Sequence, residues 1–189
     1  GERVLIHAAA GGVGLAAIYF NDTATTEIYT TAGHPEKREY LRSLGIEHVF
    51  DSRSLSFVDG IRHATAGQGV DVVLNALAGE FIPASLGLLR PEGRFVEIGK
   101  RDLLADTPLH LSPFLRNLTF SAFDLGQIVD ARHPMLPAMF DALLDRYLTH
   151  LEQGLAERGH LVRTLAGIVE LVDALATRSD ALVGLLPGN

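Results

Sequence analysis

The 189-residue chain contains no cysteine and no tryptophan. Without cysteine there is no disulfide, no thiolate zinc site and no thiol nucleophile. Basic residues are also scarce. Lys and Arg number 16 against 23 Asp and Glu, a formal net charge of −7, and no basic run occurs. Neither nucleic acid nor an anionic membrane surface is an expected partner. No apolar run reaches the roughly 18 residues that a membrane-spanning helix needs. The chain opens on "GERVLIHAAAGG" without a basic or apolar leader, which reads as a segment of a longer, cytoplasmic protein. Its eight histidines show no metal-ligand spacing such as HExxH, so no metal is expected. His7, inside the first apolar run, reads as a core histidine and not as a base.

What is present alternates. Strands are expected at 3–9 ("RVLIHAA"), 26–32 ("TEIYTTA"), 48–50, 70–77 ("VDVVLNAL"), 93–99 ("GRFVEIG") and 117–123 ("NLTFSAF"). Between them lie short helical stretches: "GVGLAAIYF", 34–45 with Pro35 in its first turn and Gly45 as its stop, "SLSFVDGIRHAT" weakened by Gly60, and "FIPASLGLL". Short strands alternating with helices predict an α/β fold, a doubly wound parallel sheet of the Rossmann kind. The tail reads differently. A helix is expected over 135–159, with Gly154 as a dividing point, then a second over 165–178 and a closing apolar strand, "ALVGLLP". This sets a nucleotide-binding core at 1–134 and a tail at 135–189, with a possible hinge near 124–134.

The strongest chemical signal is "HAAAGGVGLAA". Gly11, Gly12 and Gly14 follow a strand and open a helix, where the pyrophosphate of a dinucleotide binds. Glycine lets backbone N–H groups approach the phosphates, and the helix N-terminus favours negative charge. The end of the second strand selects the cofactor. Enzymes preferring NAD place an Asp or Glu there for the ribose hydroxyls. This chain has "TTAGHPEKR", with Lys37 and Arg38 instead, so a 2′-phosphate is favoured and NADPH is the expected cofactor.

The segments "GERVLIHAAAGGVG", "TAGHPEKREYLRSLG", "VDVVLNALAGE" and "GRFVEIGKRD" resemble the enoyl reductase domains of modular polyketide synthases and animal-type fatty acid synthases. These form a zinc-free branch of the medium-chain dehydrogenase/reductase superfamily. The resemblance implies reduction of an α,β-unsaturated acyl thioester held on an acyl carrier protein, among other synthase domains. It nominates Lys100 and Asp124 as proton donors. It also sets Val13, Gly33, Asn75 and Gly99 against the cofactor, beside the glycines, Lys37 and Arg38. It further implies a GroES-like substrate domain ahead of residue 1, absent from this chain, toward which the tail returns. Two departures stand out: Ala76 where the family commonly has Ser, and "DALVG" where a Lys usually approaches the closing strand. Two rivals keep the same cofactor fold: a free-standing zinc-free quinone or alkenal reductase, and a non-catalytic nucleotide-binding module.

One stretch breaks the pattern. "NDTATTEIYT" (21–30) equals the translation of a common short-read sequencing adapter, and Asn21, Asp22 and the threonines are poor helix formers. Residues 21 to about 27 are read as an assembly artefact, and the first helix is expected to stop near Phe20.

Overall fold

A computed structural model describes residues 1–21, 25–124, 126–127 and 134–158. The chain divides into two compact units, Gly1–Gln127 and Ile128–Asn189. In the first, six strands alternate with helices: β1 (Arg3–Ile6), α1 (Gly12–Phe20), β2 (Glu27–Ala32), α2 (Pro35–Ser43), β3 (His48–Asp51), α3 (Ser56–Ala64), β4 (Val70–Asn75), α4 (Phe81–Leu86), β5 (Leu89–Glu97), α5 (Arg101–Leu104) and β6 (Thr119–Ala122). A 3₁₀ turn, Ser112–Arg116, precedes β6. All pairings are parallel, in the order β3-β2-β1-β4-β5-β6. The chain therefore winds outward from β1 to one edge, returns, and winds from β4 to the other. That reversal leaves a crevice beyond the carboxyl ends of β1 and β4, where ligands of such sheets bind.

The inner strands carry apolar residues on both faces because helices cover both. On one face Leu5, Tyr29, Val73 and Phe95 pack with Phe57 and Ile61 of α3 and with Ile82 and Leu86 of α4. On the other, Val4, Ile6, Ile28 and Val49 pack with Ile18 of α1 and Leu41 of α2. Full burial of each large side chain contributes on the order of 1.5–3 kcal/mol, so the packed sandwich dominates the stability of this unit.

Several expected boundaries moved, for identifiable reasons. The first strand ends at Ile6 because Ala8 takes a left-handed conformation, φ 49°, and turns the chain toward α1. Gly60 does not weaken α3. A Cβ there would lie 2.4 Å from the ring of Phe50, so glycine lets the helix sit close on β3. Leu89, expected in a helix, opens β5, whose ladder with β4 shifts register between Val70 and Val72. Residues 101–104 and 112–116 form short helical turns. As expected, α1 stops at Phe20, and the backbone N–H of Asn21 donates to the carbonyls of Ala17 and Ile18. In the second unit a helix, α6, runs unbroken through Gly154 over Met135–Arg158. The expected helix at 165–178 and closing strand lie outside the described residues. No helix among the described residues is long and apolar enough to cross a membrane.

Candidate functional site: a nucleotide cradle and a lysine–aspartate pair

The first half of the site is the turn between β1 and α1. Gly14 is required by packing: a Cβ there would meet the backbone of Ala9 at 2.5–2.7 Å, so only glycine brings α1 this close to the strand end. Gly12 is different. Nothing lies within 4 Å of where its Cβ would stand, leaving an open approach to the backbone. Gly11 caps the helix without a side chain, and the first turn of α1 carries no acid. The first N–H satisfied inside the helix is that of Leu15, which donates to Gly11. The amides of Gly12, Val13 and Gly14 donate to no carbonyl among the described residues. Unpaired amides at a positive helix end, with space in front of them, fit a pyrophosphate. Val13 is exposed in this first turn.

Below the turn, His7 is buried. Its Nδ1 lies 2.9 Å from Thr31 Oγ1 and its Nε2 2.8 Å from Ser85 Oγ. Burial alone pushes its pKa down to about 3. A neutral imidazole bridging β1, β2 and the end of α4 is structural, as the sequence reading had it.

At the end of β2, Lys37 and Arg38 take different roles. Lys37 is exposed on α2 and forms no ion pair among the described residues. Arg38 is largely covered. Its Nη1 donates to the carbonyl of Ala32 at 3.0 Å and lies 3.5 Å from Asp51 at the end of β3. It joins the β2 and β3 ends and is turned toward the sheet. A third cation, missed in the sequence, stands here. Arg53, from the loop after β3, is exposed; its Nε donates to the carbonyl of Gly33 at 3.0 Å and its Nη2 lies 2.9 Å from His34 Nε2. A Cβ on Gly33 would come within 3.1 Å of Arg53 Nε, so glycine there admits the guanidinium. The available signal was "DSR" directly after the third strand.

The second half of the site gathers the ends of β4, β5 and β6. Lys100 Nζ donates to Asp124 Oδ1 at 2.6 Å, with half of the lysine side chain exposed. Lys100 holds the Asp124 carboxyl below the usual carboxylate range, helped by the N–H of Gly126 at 2.9 Å. Two residues 24 apart in sequence thus meet beyond the sheet edge. Asn75 is buried and fully engaged: Nδ2 donates to the carbonyl of Leu77 and to Glu97, and Oδ1 accepts the N–H of Leu77. Its side chain shapes the 75–77 backbone. Gly99 carries no Cβ because Glu97 folds back onto it; a Cβ would lie 2.7 Å from Glu97 Oε1. Asp102 accepts the N–H of Gly79 at 2.9 Å and ties α5 to the loop after β4. Glu97 itself was missed. It shares a strand face with the fully buried Phe95, and a carboxylate at such a core position is the signal.

An all-parallel 3-2-1-4-5-6 sheet, an open glycine turn and polar groups converging at the strand ends define a dinucleotide-binding domain of the dehydrogenase class. Residues 12–145 match the zinc-binding dehydrogenase family, and the chain belongs to it. The nucleotide-binding subdomain of the enoylreductase domain of PpsC from Mycobacterium tuberculosis is 48% identical over 82% of this chain and 84% of its own, with a TM-score of 0.68. CurK enoyl reductase is 45% identical over 79% of this chain and 44% of its own, with a TM-score of 0.67. Phthioceranic/hydroxyphthioceranic acid synthase of M. tuberculosis is 57% identical over 134 residues; these are 71% of this chain and 6% of the synthase. The chain is accordingly a nucleotide-binding subdomain of the polyketide-synthase enoyl reductase type, and it spans a small part of the synthases it matches. Despite the family's name, the described residues do not fit a zinc ion: they bring together no group of three His, Cys, Asp or Glu side chains.

Proposed function

We propose that this chain is the NADPH-binding part of an enoyl reductase that saturates a carrier-bound α,β-unsaturated acyl thioester within a polyketide synthase. The observation that carries the reading is the Lys100–Asp124 pair at the carboxyl edge of β5 and β6, on the same sheet edge as the open glycine turn. The amides of Gly12, Val13 and Gly14 would hold the pyrophosphate. Lys37 and Arg53 would take the 2′-phosphate, with Arg38 holding the strand ends beneath them. The cofactor, when bound, supplies a hydride to the β-carbon of the enoyl group. The electron pair of the double bond then passes onto the thioester as an enolate, and the α-carbon needs one proton.

Lys100 is the group fitted to deliver that proton. It is a donor held by an acidic partner, at the strand end beside which the reactive part of the cofactor would lie. Asp124 orients the ammonium through its 2.6 Å hydrogen bond. The bound product is the saturated thioester. The division into a core at 1–134 and a tail at 135–189 of the same reductase, returning toward a substrate domain, is proposed on the same footing, as is an acyl carrier protein as partner.

The test is a coupled assay on the complete reductase with a trans-2-enoyl thioester. NADPH oxidation should match formation of saturated thioester one to one, and NADH should serve poorly. Turnover of quinones or free alkenals with none of the thioester would favour the free-standing reductase. Failure to bind NADPH at all would leave only a non-catalytic module.

A further inference from the structure

Glu97 takes no part in the reaction as set out, yet it sits at 2% exposure where the ends of three strands meet. Its backbone carbonyl accepts the N–H of Phe123 at 2.9 Å, one residue before Asp124. Its Oε1 accepts the N–H of Gly99 at 2.6 Å, one residue before Lys100. Its Oε2 accepts Nδ2 of Asn75 at 2.6 Å, and Asn75 in turn holds both the N–H and the carbonyl of Leu77. We propose that Glu97 is the positioning residue of the Lys100–Asp124 pair. The proposal rests on the enoyl-reduction reading above.

The physical argument concerns what could hold Lys100 still. Its side chain is a flexible four-carbon stem, half exposed, and an exposed ion pair alone orders such a stem weakly. The direction in which the stem leaves the backbone is set by the turn 98–100, and that turn is tied down at the two amides just before Lys100. The N–H of Ile98 donates to the carbonyl of Asn75 at 2.9 Å, and the N–H of Gly99 donates to the Glu97 carboxylate. A carboxylate buried this deeply is costly unless its oxygens are filled. Both oxygens are filled by amide donors of fixed geometry, one from the backbone and one from a side chain. Burial to 2% exposure leaves these hydrogen bonds little competition from bulk water. Burial raises the pKa of the group while the donors of Asn75 and Gly99 lower it, and Asp102 adds a weaker upward push. The tie is thus specific to the side-chain chemistry of residue 97. A buried apolar residue would fill the space without holding Gly99.

The test is a double-mutant cycle in the complete reductase. Glu97→Gln keeps the volume and one acceptor but turns an NH₂ toward the NH₂ of Asn75. Turnover should fall on the order of 10–100-fold, the cost of displacing a reacting group by about an ångström, with KM for NADPH changed less than about threefold. In a Lys100→Ala background the same substitution should have almost no further effect, because the geometry it disturbs belongs to the missing ammonium. Equal fold-losses in the two backgrounds would overturn the proposal, as would wild-type turnover for Glu97→Gln at unchanged Tm. Should Glu97→Gln not fold, Gly99→Ala disturbs the same contact from the other side and must show the same non-additivity. If Lys100→Ala alone keeps wild-type turnover, the enoyl-reduction assignment of the pair fails instead. The two failures are therefore distinguishable.

Discussion

The two halves of the site are built in opposite ways. The β1–α1 turn is local: Ala8 to Leu15 form it within eight residues, and what it presents is backbone amides. The Lys100–Asp124 end is assembled from afar, from Asn75, Glu97, Gly99 and Phe123 on three strand ends, and what it presents is side chains. A backbone-built site tolerates side-chain change until a Cβ enters its space. A side-chain-built site fails when any member of the network loses its partner.

The sharpest way to separate the halves is to remove the second. In the complete reductase, Lys100→Ala with Asp124→Asn should lower turnover by about 10²–10⁴-fold, the usual contribution of a positioned proton donor. NADPH binding, followed by fluorescence titration, should stay nearly unchanged. A double variant with wild-type turnover would remove the pair from the reaction.

Within the first half, two neighbouring glycines should behave differently. Gly14→Ala forces a methyl group into the backbone of Ala9 and should cost roughly 1–3 kcal/mol or more of stability, read by denaturant unfolding. Gly12→Ala meets nothing and should leave stability unchanged or improve it by up to about 1 kcal/mol. Its methyl group nevertheless stands where a phosphate would approach, so NADPH affinity should fall. Equal effects on stability at the two positions would contradict the packing described for Gly14.

The phosphate end of the cradle extends the comparison to charge. Lys37→Ala and Arg53→Ala should each weaken NADPH by about tenfold or more, since a charge-assisted hydrogen bond contributes roughly 1.5–3 kcal/mol. NADH, lacking the 2′-phosphate, should be almost unaffected. Arg38→Ala should instead lower stability and affect both cofactors alike, because Arg38 binds Ala32 and Asp51. Isothermal titration with the two cofactors decides between these outcomes.

His7 supplies the smallest effect at neutral pH, and one that grows on acidification. Folded, its pKa is about 3; unfolded, it returns to about 6.5. Between those values the unfolded chain binds a proton that the folded chain refuses. Stability therefore falls as the pH drops from 6.5, by up to about 1.4 kcal/mol per pH unit. Thermal melts at pH 7 and pH 5 should show the decline, and His7→Gln should flatten it. The ring resonances of His7 should not titrate between pH 8 and pH 5. A midpoint near 6.5 would mean that the imidazole is open to water.

How much was legible follows from the same contrast. The alternation of apolar runs with helical stretches, and glycines 11, 12 and 14, carry their meaning within a few residues of chain. The fold class and the glycine turn could therefore be read directly. Lys37 and Arg38 looked equivalent as adjacent cations on one short helix. Only the approach of β3 to β2 showed that Arg38 is drawn onto Asp51, while Arg53 arrives from the next loop. Lys100 and Asp124 entered through resemblance alone, because nothing in the spacing of "GKRD" and "FDL" says that they touch.

The sequence by itself thus determined what local chain physics decides: the order of strands and helices, the glycine turn, the acidic balance and the absence of cysteine. Tertiary structure decided which polar groups meet. Parallel pairing brought Asn75 opposite Glu97 and Glu97 opposite Ala122, so that residues distant in sequence share one sheet edge. Hydrogen bonds act over about 3 Å, and that proximity exists only once β4, β5 and β6 lie side by side. It is there that Glu97 acquires Gly99 and Asn75 as donors, and Lys100 acquires Asp124.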